Sequence, residues 1–362
     1  MTIKPLILVT LINSIIYPVV ASTLPEQIKT VEHATAACVE ASQALEYGNR
    51  VLCEVSAVSR VGNKLILAND KPLPGEGHSP IFSLALKNNR IVDAGPEYLN
   101  TPVITKAKKF EALTTTLDGR YIIASTGFNR VGTESDAQFD NYNNIVYWPV
   151  GAPEQAAIVS PSVRQGVTSS VGLREQMSKA LGTPFFQVEG LSIAPDNRLL
   201  IGIRKQGENY KEARDVFKVL ATTFTLEQGT LRLTEPFKLI FEFTPKIPGH
   251  DGLVLGLSSI EYDPYNKDRV YALTSFEDEE TISGYLWSIP LNGLLEGDSR
   301  SPRLVRGQNG LPLMFSNKPE GLAVLDEKQL LIVHDDDRVQ VTSSASGIAS
   351  KPNEFAYSVV GF

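Results

Sequence analysis

The chain has 362 residues with 41 acidic against 34 basic side chains, a net charge of −7 and a hydrophobic content of 42%. Its isoelectric point near 5.3 argues against nucleic acid, whose binders usually carry a basic face, and the apolar content is enough for a full core. All-β and repeat folds of this length are commonly single units.

Residues 1–21 read as a leader rather than as part of the fold. Lys4 supplies the positive start, residues 6–20 an apolar run, and Val19-Val20-Ala21 a small-residue cleavage site before Ser22. Asn13 and Pro18 shorten the apolar stretch below a comfortable membrane span. The expectation is cleavage, no stable span afterwards, and a periplasmic or secreted protein. No cysteine stands at the cleavage point, which argues against a lipoprotein. Cys38 and Cys53 are the two cysteines of the chain, and in an oxidising compartment an isolated pair reads as one disulfide. Closing that loop would stabilise by roughly 3 kcal/mol. The segment 22–53 that carries them shows no clear helix or strand pattern. It is expected to pack on, or close, the repeat that follows.

From residue 54 the chain repeats. Glu54-Val55-Ser56-Ala57, Glu111-Ala112-Leu113-Thr114, Glu189-Gly190-Leu191-Ser192 and Glu320-Gly321-Leu322-Ala323 open alike, and each is followed by a turn and a second apolar run. The second runs are 64–68, 121–124, 199–202 and 330–333. A fifth copy, 257–262 with 269–273, has Leu257 where the others have glutamate. Spacings of roughly 55 to 80 residues between such units indicate a radial or solenoid repeat. The clearest unit predicts strands over 188–194, 198–204, 216–223 and 231–243, with turns at Asp196-Asn197 and 226–229. Four antiparallel strands make one blade of a β-propeller. The prediction is an all-β propeller over 54–362, with five visible four-stranded blades. A sixth, closed by 22–53, is possible on the sequence alone, and 357–361 is a candidate last strand. The one helical pattern is 171–181. A β-sandwich is the alternative, but it does not explain a strand pair that recurs in phase.

Blade topology puts the connections between blades, and those from second to third strand, on one face. There the loops are long: 71–78, 127–144, 161–187, 205–214, 244–256 and 276–284. Long loops on one face of a rigid scaffold usually carry function. Glu54, Glu111, Glu189 and Glu320 should meet near that face, where crowded carboxylates bind protons or need a cation. With Asp70 and Asp335 they form a candidate oxygen-rich site for a hard ion such as calcium. The other reading makes each glutamate a blade-to-blade lock. Arg204, Lys205 and Lys211 are candidates for gripping an anionic substrate. The acidic runs at 277–280 and 335–337 do not have EF-hand spacing. Of the four histidines, His78, His250 and His334 could each serve as general base, and Glu189, His250 and His334 are the candidate catalytic residues. No nucleophile elbow, phosphate loop, dinucleotide fingerprint or zinc-protease helix is present. Phe128, Tyr142, Phe186, Tyr210 and Phe276 are aromatics that could line a sugar groove.

The stretch Phe186-Gln187-Val188-Glu189-Gly190-Leu191-Ser192-Ile193-Ala194-Pro195-Asp196 resembles the EGLA-x-x-PDG signature of the phytase-like propellers, the family called "esterase-like activity of phytase". Ser56-Ala57-Val58 with Ala68-Asn69-Asp70, Phe110-Glu111-Ala112-Leu113 with Asp118-Gly119, and Lys318-Pro319-Glu320-Gly321-Leu322 resemble other blades of that family. The resemblance spans about residues 54–340 and implies an exported propeller that hydrolyses a phosphoester or ester. Two departures stand out. Gly202-Ile203-Arg204 replaces the acidic end that often follows the central signature, and the fifth copy lacks its glutamate. Propeller lactonases and phosphotriesterases, whose calcium is held partly by an inner-strand glutamate, are a second analogy. The expectation is a cation-assisted hydrolase of a small anionic or ester substrate. The alternative is a non-catalytic propeller that offers its long loops to a protein or glycan.

Overall fold

The second runs of the repeat, such as Leu65-Ile66-Leu67-Ala68, are continuously apolar instead of alternating, and the tertiary structure gives the reason. In the computed structural model, which describes residues 27–47, 51–92, 94–130, 136–277, 282–335 and 349–362, both faces of each such strand are buried between neighbouring sheets. Leu65 and Leu67 pack toward one neighbouring blade, Ile66 and Ala68 toward the other. Each of the five blade interfaces has its own apolar cluster.

The fold is a five-bladed β-propeller. Blade one is built from Val55–Val61, Lys64–Asn69 and Ile81–Lys87, with the short strands Arg90–Ile91 and Glu97–Tyr98 on its outer edge. Blade two follows with Phe110–Thr115, Tyr121–Thr126, Ile145–Pro149 and Ala157–Ile158. Blade three uses Phe185–Ala194, Arg198–Gly207 and Arg214–Glu227. Its expected fourth strand is split into Thr230–Leu233 and Lys238–Phe243, around Pro236, which cannot donate to a ladder. Blade four has Gly256–Tyr262, Arg269–Glu277 and Ile282–Pro290, edged by Arg303–Leu304 and Met314–Phe315. All pairings within the blades are antiparallel. The five inner strands touch in a closed ring, first to second and so on to fifth against first.

Blade five shows how the ring is shut. Pro319–Val324, Gln329–His334 and Glu354–Gly361 are its first three strands, and the fourth is Thr30–Ala37 from the other end of the chain. The N-terminal segment therefore completes the fifth blade; it does not found a sixth. Cys38 and Cys53 form a disulfide with a Cα–Cα separation of 5.8 Å, tying the closing strand to the entry of blade one. Tyr98 Oη donates to the Cys38 carbonyl at 2.8 Å and Asn353 Nδ2 to the Val39 carbonyl at 2.9 Å. The tight turns have the left-handed pairs that two-residue hairpins require, with φ of 63° and 50° at Asp196 and Asn197. The helix Val171–Leu181 lies in the connection from blade two to blade three. Phe128 and Phe186 are fully buried and stack at 6.4 Å, so neither lines a sugar groove. The leader 1–21 and the acidic positions 278–280 and 336–337 lie outside the described residues.

Candidate functional site

All five inner strands carry a β-bulge at the same place. Their pairing skips a residue between Val55 and Ala57, Phe110 and Ala112, Val188 and Gly190, Leu257 and Ser259, and Pro319 and Gly321. The extra residues are Ser56, Glu111, Glu189, Ser258 and Glu320, all buried. A bulge takes its residue out of the ladder and re-aims the side chain. The serines lock blades together: Ser56 Oγ donates to the Phe110 carbonyl at 2.6 Å, and Ser258 Oγ to the Pro319 carbonyl at 2.7 Å. The register thus corrects the phase of the repeat. Ser56, not Glu54, is the blade-one counterpart of the three bulge glutamates, and Ser258, not Leu257, that of blade four.

Glu54 belongs to a second set, two residues before the bulge: Glu54, Lys109, Gln187, Gly256 and Lys318. Wherever the bulge is glutamate, this position is a donor. Lys109 ion-pairs Glu111, Gln187 Nε2 donates to Glu189 Oε1, and Lys318 Nζ lies 3.0 Å from Glu320 Oε1. The repeated unit is therefore a donor, one residue, glutamate, a small residue and leucine. The small residue has its own cause: a Cβ on Gly321 would stand 3.0 Å from the Ala57 Cα of the adjoining inner strand.

A third set lies just after the second strands, at Asp70, Gly127 and Asp335, or near their ends, at Arg204 and Ser275. Blade four contributes only small groups to all three sets, namely Gly256, Ser258 and Ser275. Arg204 of blade three fills the space. A Cβ on Gly256 would lie 2.8 Å from Arg204 Cγ. Arg204 Nη1 donates to Ser275 Oγ at 2.8 Å and reaches Glu320 Oε1 of blade five at 3.6 Å, while Nε lies 3.7 Å from Asp215 Oδ1. The arginine at the end of this second strand and the glutamate missing from blade four are halves of one arrangement.

Further links run within blade one and from blade to blade. Lys71 Nζ sits 2.6 Å from Glu54 Oε2 and 3.0 Å from Asp70 Oδ2, and Lys109 Nζ 3.0 Å from Asp70 Oδ2. Gln187 Nε2 is 3.5 Å from Glu111 Oε1. Lys318 also pairs with Glu277 at 3.1 Å. Glu54, Asp70 and Asp335, from blades one and five, bring one oxygen each within 4.8 Å of one another. Burial pushes the Glu54 and Glu111 carboxyls up to about 7, against the pull of Lys71 and Lys109. Burial first, then Glu111 and Glu320, drives Glu189 well above the ordinary carboxylate range. Burial also opposes the Asp70 charge, but Lys109 and Lys71 outweigh it and hold that carboxyl below its usual value.

The remaining candidates fall elsewhere. His334 is buried inside blade five, its Nε2 2.8 Å from Ser358 Oγ, which also lies 2.9 Å from His33 Nδ1. Burial, with His33 adding to it, lowers its pKa to about 3, so it is a neutral, enclosed imidazole. His250 stands exposed in the turn before blade four. Lys205 is half-buried at the end of a second strand, and Lys211 is exposed in the following turn. Sequence reasoning missed Lys71, Lys109, Gln187 and Lys318. For Lys109, Gln187 and Lys318 the signal is a donor two residues before glutamate, which shows only once the bulges set the phase; Lys71 follows Asp70 and has no such signal.

No family model matches the chain, and no curated protein matches it. Among solved structures it is similar to the PQQ-bound aldose sugar dehydrogenase of Streptomyces coelicolor, with 12% identity over 93% of this chain and 99% of that one, at a TM-score of 0.40. It is also similar to the α-L-arabinofuranosidase PaAbf62A of Podospora anserina, with 9% identity, 94% and 97% coverage and a TM-score of 0.42. A luciferin-regenerating enzyme shows 9% identity, 91% and 96% coverage and a TM-score of 0.36. Likeness at this level carries no activity across.

Proposed function

We propose that the charged mouth of the channel is the active centre of an exported, cation-assisted hydrolase of a phosphoester or ester. One observation carries the reading: the buried oxygens of Glu54, Asp70 and Asp335 lie within 4.8 Å of one another. Oxygens bound at 2.3–2.6 Å around calcium span about that distance. The donor set is all carboxylate and suits a hard ion, and Lys71, whose side chain is 41% exposed, can swing out to admit one. Bound there, a divalent cation would polarise the scissile group and acidify a water. Lys109 and Lys318 would offer ammonium groups to an anionic substrate oxygen, and the buried carboxyls Glu111 and Glu189 would exchange protons. Arg204 lies among carboxylates and serves the scaffold in this reading. The Cys38–Cys53 disulfide supports an oxidising compartment, periplasmic or external.

A second reading has its own observation. Lys109, Arg204 and Lys318 already pair with carboxylates of other blades, namely Asp70, Glu320 and Glu277, as blade-to-blade locks would in a propeller that binds a protein or glycan. Thermal melts with calcium separate the two. A site in the mouth gives about 2.7 kcal/mol of stabilisation at a hundredfold excess over Kd, and Asp70→Asn should abolish most of it together with any esterase or phosphatase turnover. No metal by elemental analysis, and an Asp70→Asn loss equal with and without calcium, would favour the binding propeller.

A further inference from the structure

We propose that Gln187 is a positioning residue that leaves Glu189 a neutral carboxylic acid at neutral pH, the proton donor of the channel mouth. Only the use made of that proton rests on the hydrolase reading. The chain supplies its own comparison. Bulge glutamates recur in blades two, three and five at the same place in the inner strand, and blade three adds a second register shift between Gln187 and Val188. In blades two and five the residue two places earlier is a lysine whose ammonium contacts the carboxylate, so each buried charge has its counter-charge at the entry of its own strand. In blade three that position holds Gln187, an amide of similar reach and no charge. Glu189 is only 4% exposed, yet among the described residues no lysine or arginine stands within ion-pair distance of it.

The groups around Glu189 come from several blades. Glu111 and Glu320 oppose its ionisation, while Arg204 and Lys109 favour it from beyond contact. Gln187 Nε2 donates to Glu189 Oε1 and lies 3.5 Å from Glu111 Oε1, fixing the two carboxyls side by side. Glu111 has Lys109 as its counter-charge and Glu189 has none, so the proton of the pair resides on Glu189. In a hydrolysis the bond to the leaving oxygen breaks with its electron pair staying on that oxygen. The proton of Glu189 goes to it, and the attacking water, on joining the electrophile, returns a proton to the Glu189 carboxylate.

The test compares wild type with Gln187→Lys, which puts at 187 the residue that 109 and 318 already hold beside a glutamate, and with Gln187→Met, neutral but unable to donate. Carbon-13 NMR of the glutamate carboxyls follows the titration, with Glu189→Gln identifying the resonance. Glu189 should keep its proton at pH 7 in wild type and in Gln187→Met. In Gln187→Lys its midpoint should fall by about 1–3 pH units, the effect of a cation brought into contact, with no loss of melting temperature. The alkaline limb of any turnover should move by the same interval. Glu189 ionised at pH 6 in wild type, or a midpoint unmoved by the lysine, overturns the proposal. A wild type without turnover sinks the hydrolase reading and leaves this inference to the titration alone.

Discussion

Arg204 is the group on which three blades depend, and removing it tests the arrangement directly. Arg204→Met keeps most of the stem and deletes the charge. At 3.6 Å from Glu320 and 3.7 Å from Asp215, each attraction is about 4–5 kcal/mol at an effective dielectric constant of about 20. Much of that only offsets the desolvation of a guanidinium that is 3% exposed. What the variant loses is the compensation of buried carboxylates, about 3–5 kcal/mol. With an unfolding entropy of about 2.1 cal/mol/K per residue over roughly 340 residues, that lowers Tm by about 4–7 °C. Gly256→Ala attacks the same contact from the other side, because its Cβ would meet Arg204 Cγ at 2.8 Å, and should cost about 1–3 kcal/mol as overpacking. In the double variant the flexible methionine can yield where the pinned arginine cannot. The combined loss should therefore be smaller than the two losses added by about 1 kcal/mol, a coupling typical of residues in contact. Urea melts of the four proteins give the cycle. Strict additivity, or an Arg204→Met variant as stable as wild type, would refute the idea that Arg204 spans the gap left by blade four.

Two further outcomes can be checked. Replacing Cys38 and Cys53 by alanine should cost about 3 kcal/mol and weaken any calcium response, since Cys53 adjoins Glu54; free-thiol titration of the unreduced, denatured wild type should find none. His334, with its pKa lowered to about 3 by burial, stabilises the fold fully above its unfolded value near 6.5. That contribution is lost as pH falls toward 3, because the unfolded chain then binds a proton the folded one refuses. Between pH 7 and 5 the wild type should lose about 2 kcal/mol more than His334→Gln in denaturant melts; parallel curves would contradict the burial.

The sequence alone determined the number of visible blades, the helix Val171–Leu181, the turns at Asp196-Asn197 and the pairing of Cys38 with Cys53. These depend on local pattern: a strand buried on both faces must be continuously apolar, a two-residue hairpin needs left-handed residues, and the two cysteines of the chain have only each other. Whether 22–53 ended a blade was not legible, because Thr30–Ala37 finds its partner, Glu354–Gly361, at the far end of the chain. The phase of the glutamates was not legible either. Glu54 and Glu111 look equivalent as letters, but a bulge is a property of two paired strands, and only the pairing of Val55 with Asn69 and Phe110 with Thr126 shows that Ser56 stands in the place of Glu111. Arg204 reads in the sequence as a candidate grip for an anionic substrate at the end of a second strand. Its true surroundings depend on Gly256, Ser258 and Ser275 being small, and on Glu320 approaching from a blade encoded more than a hundred residues later. Side chains that meet across a propeller channel are joined by ring closure, and ring closure is a condition on the whole chain that no local stretch contains.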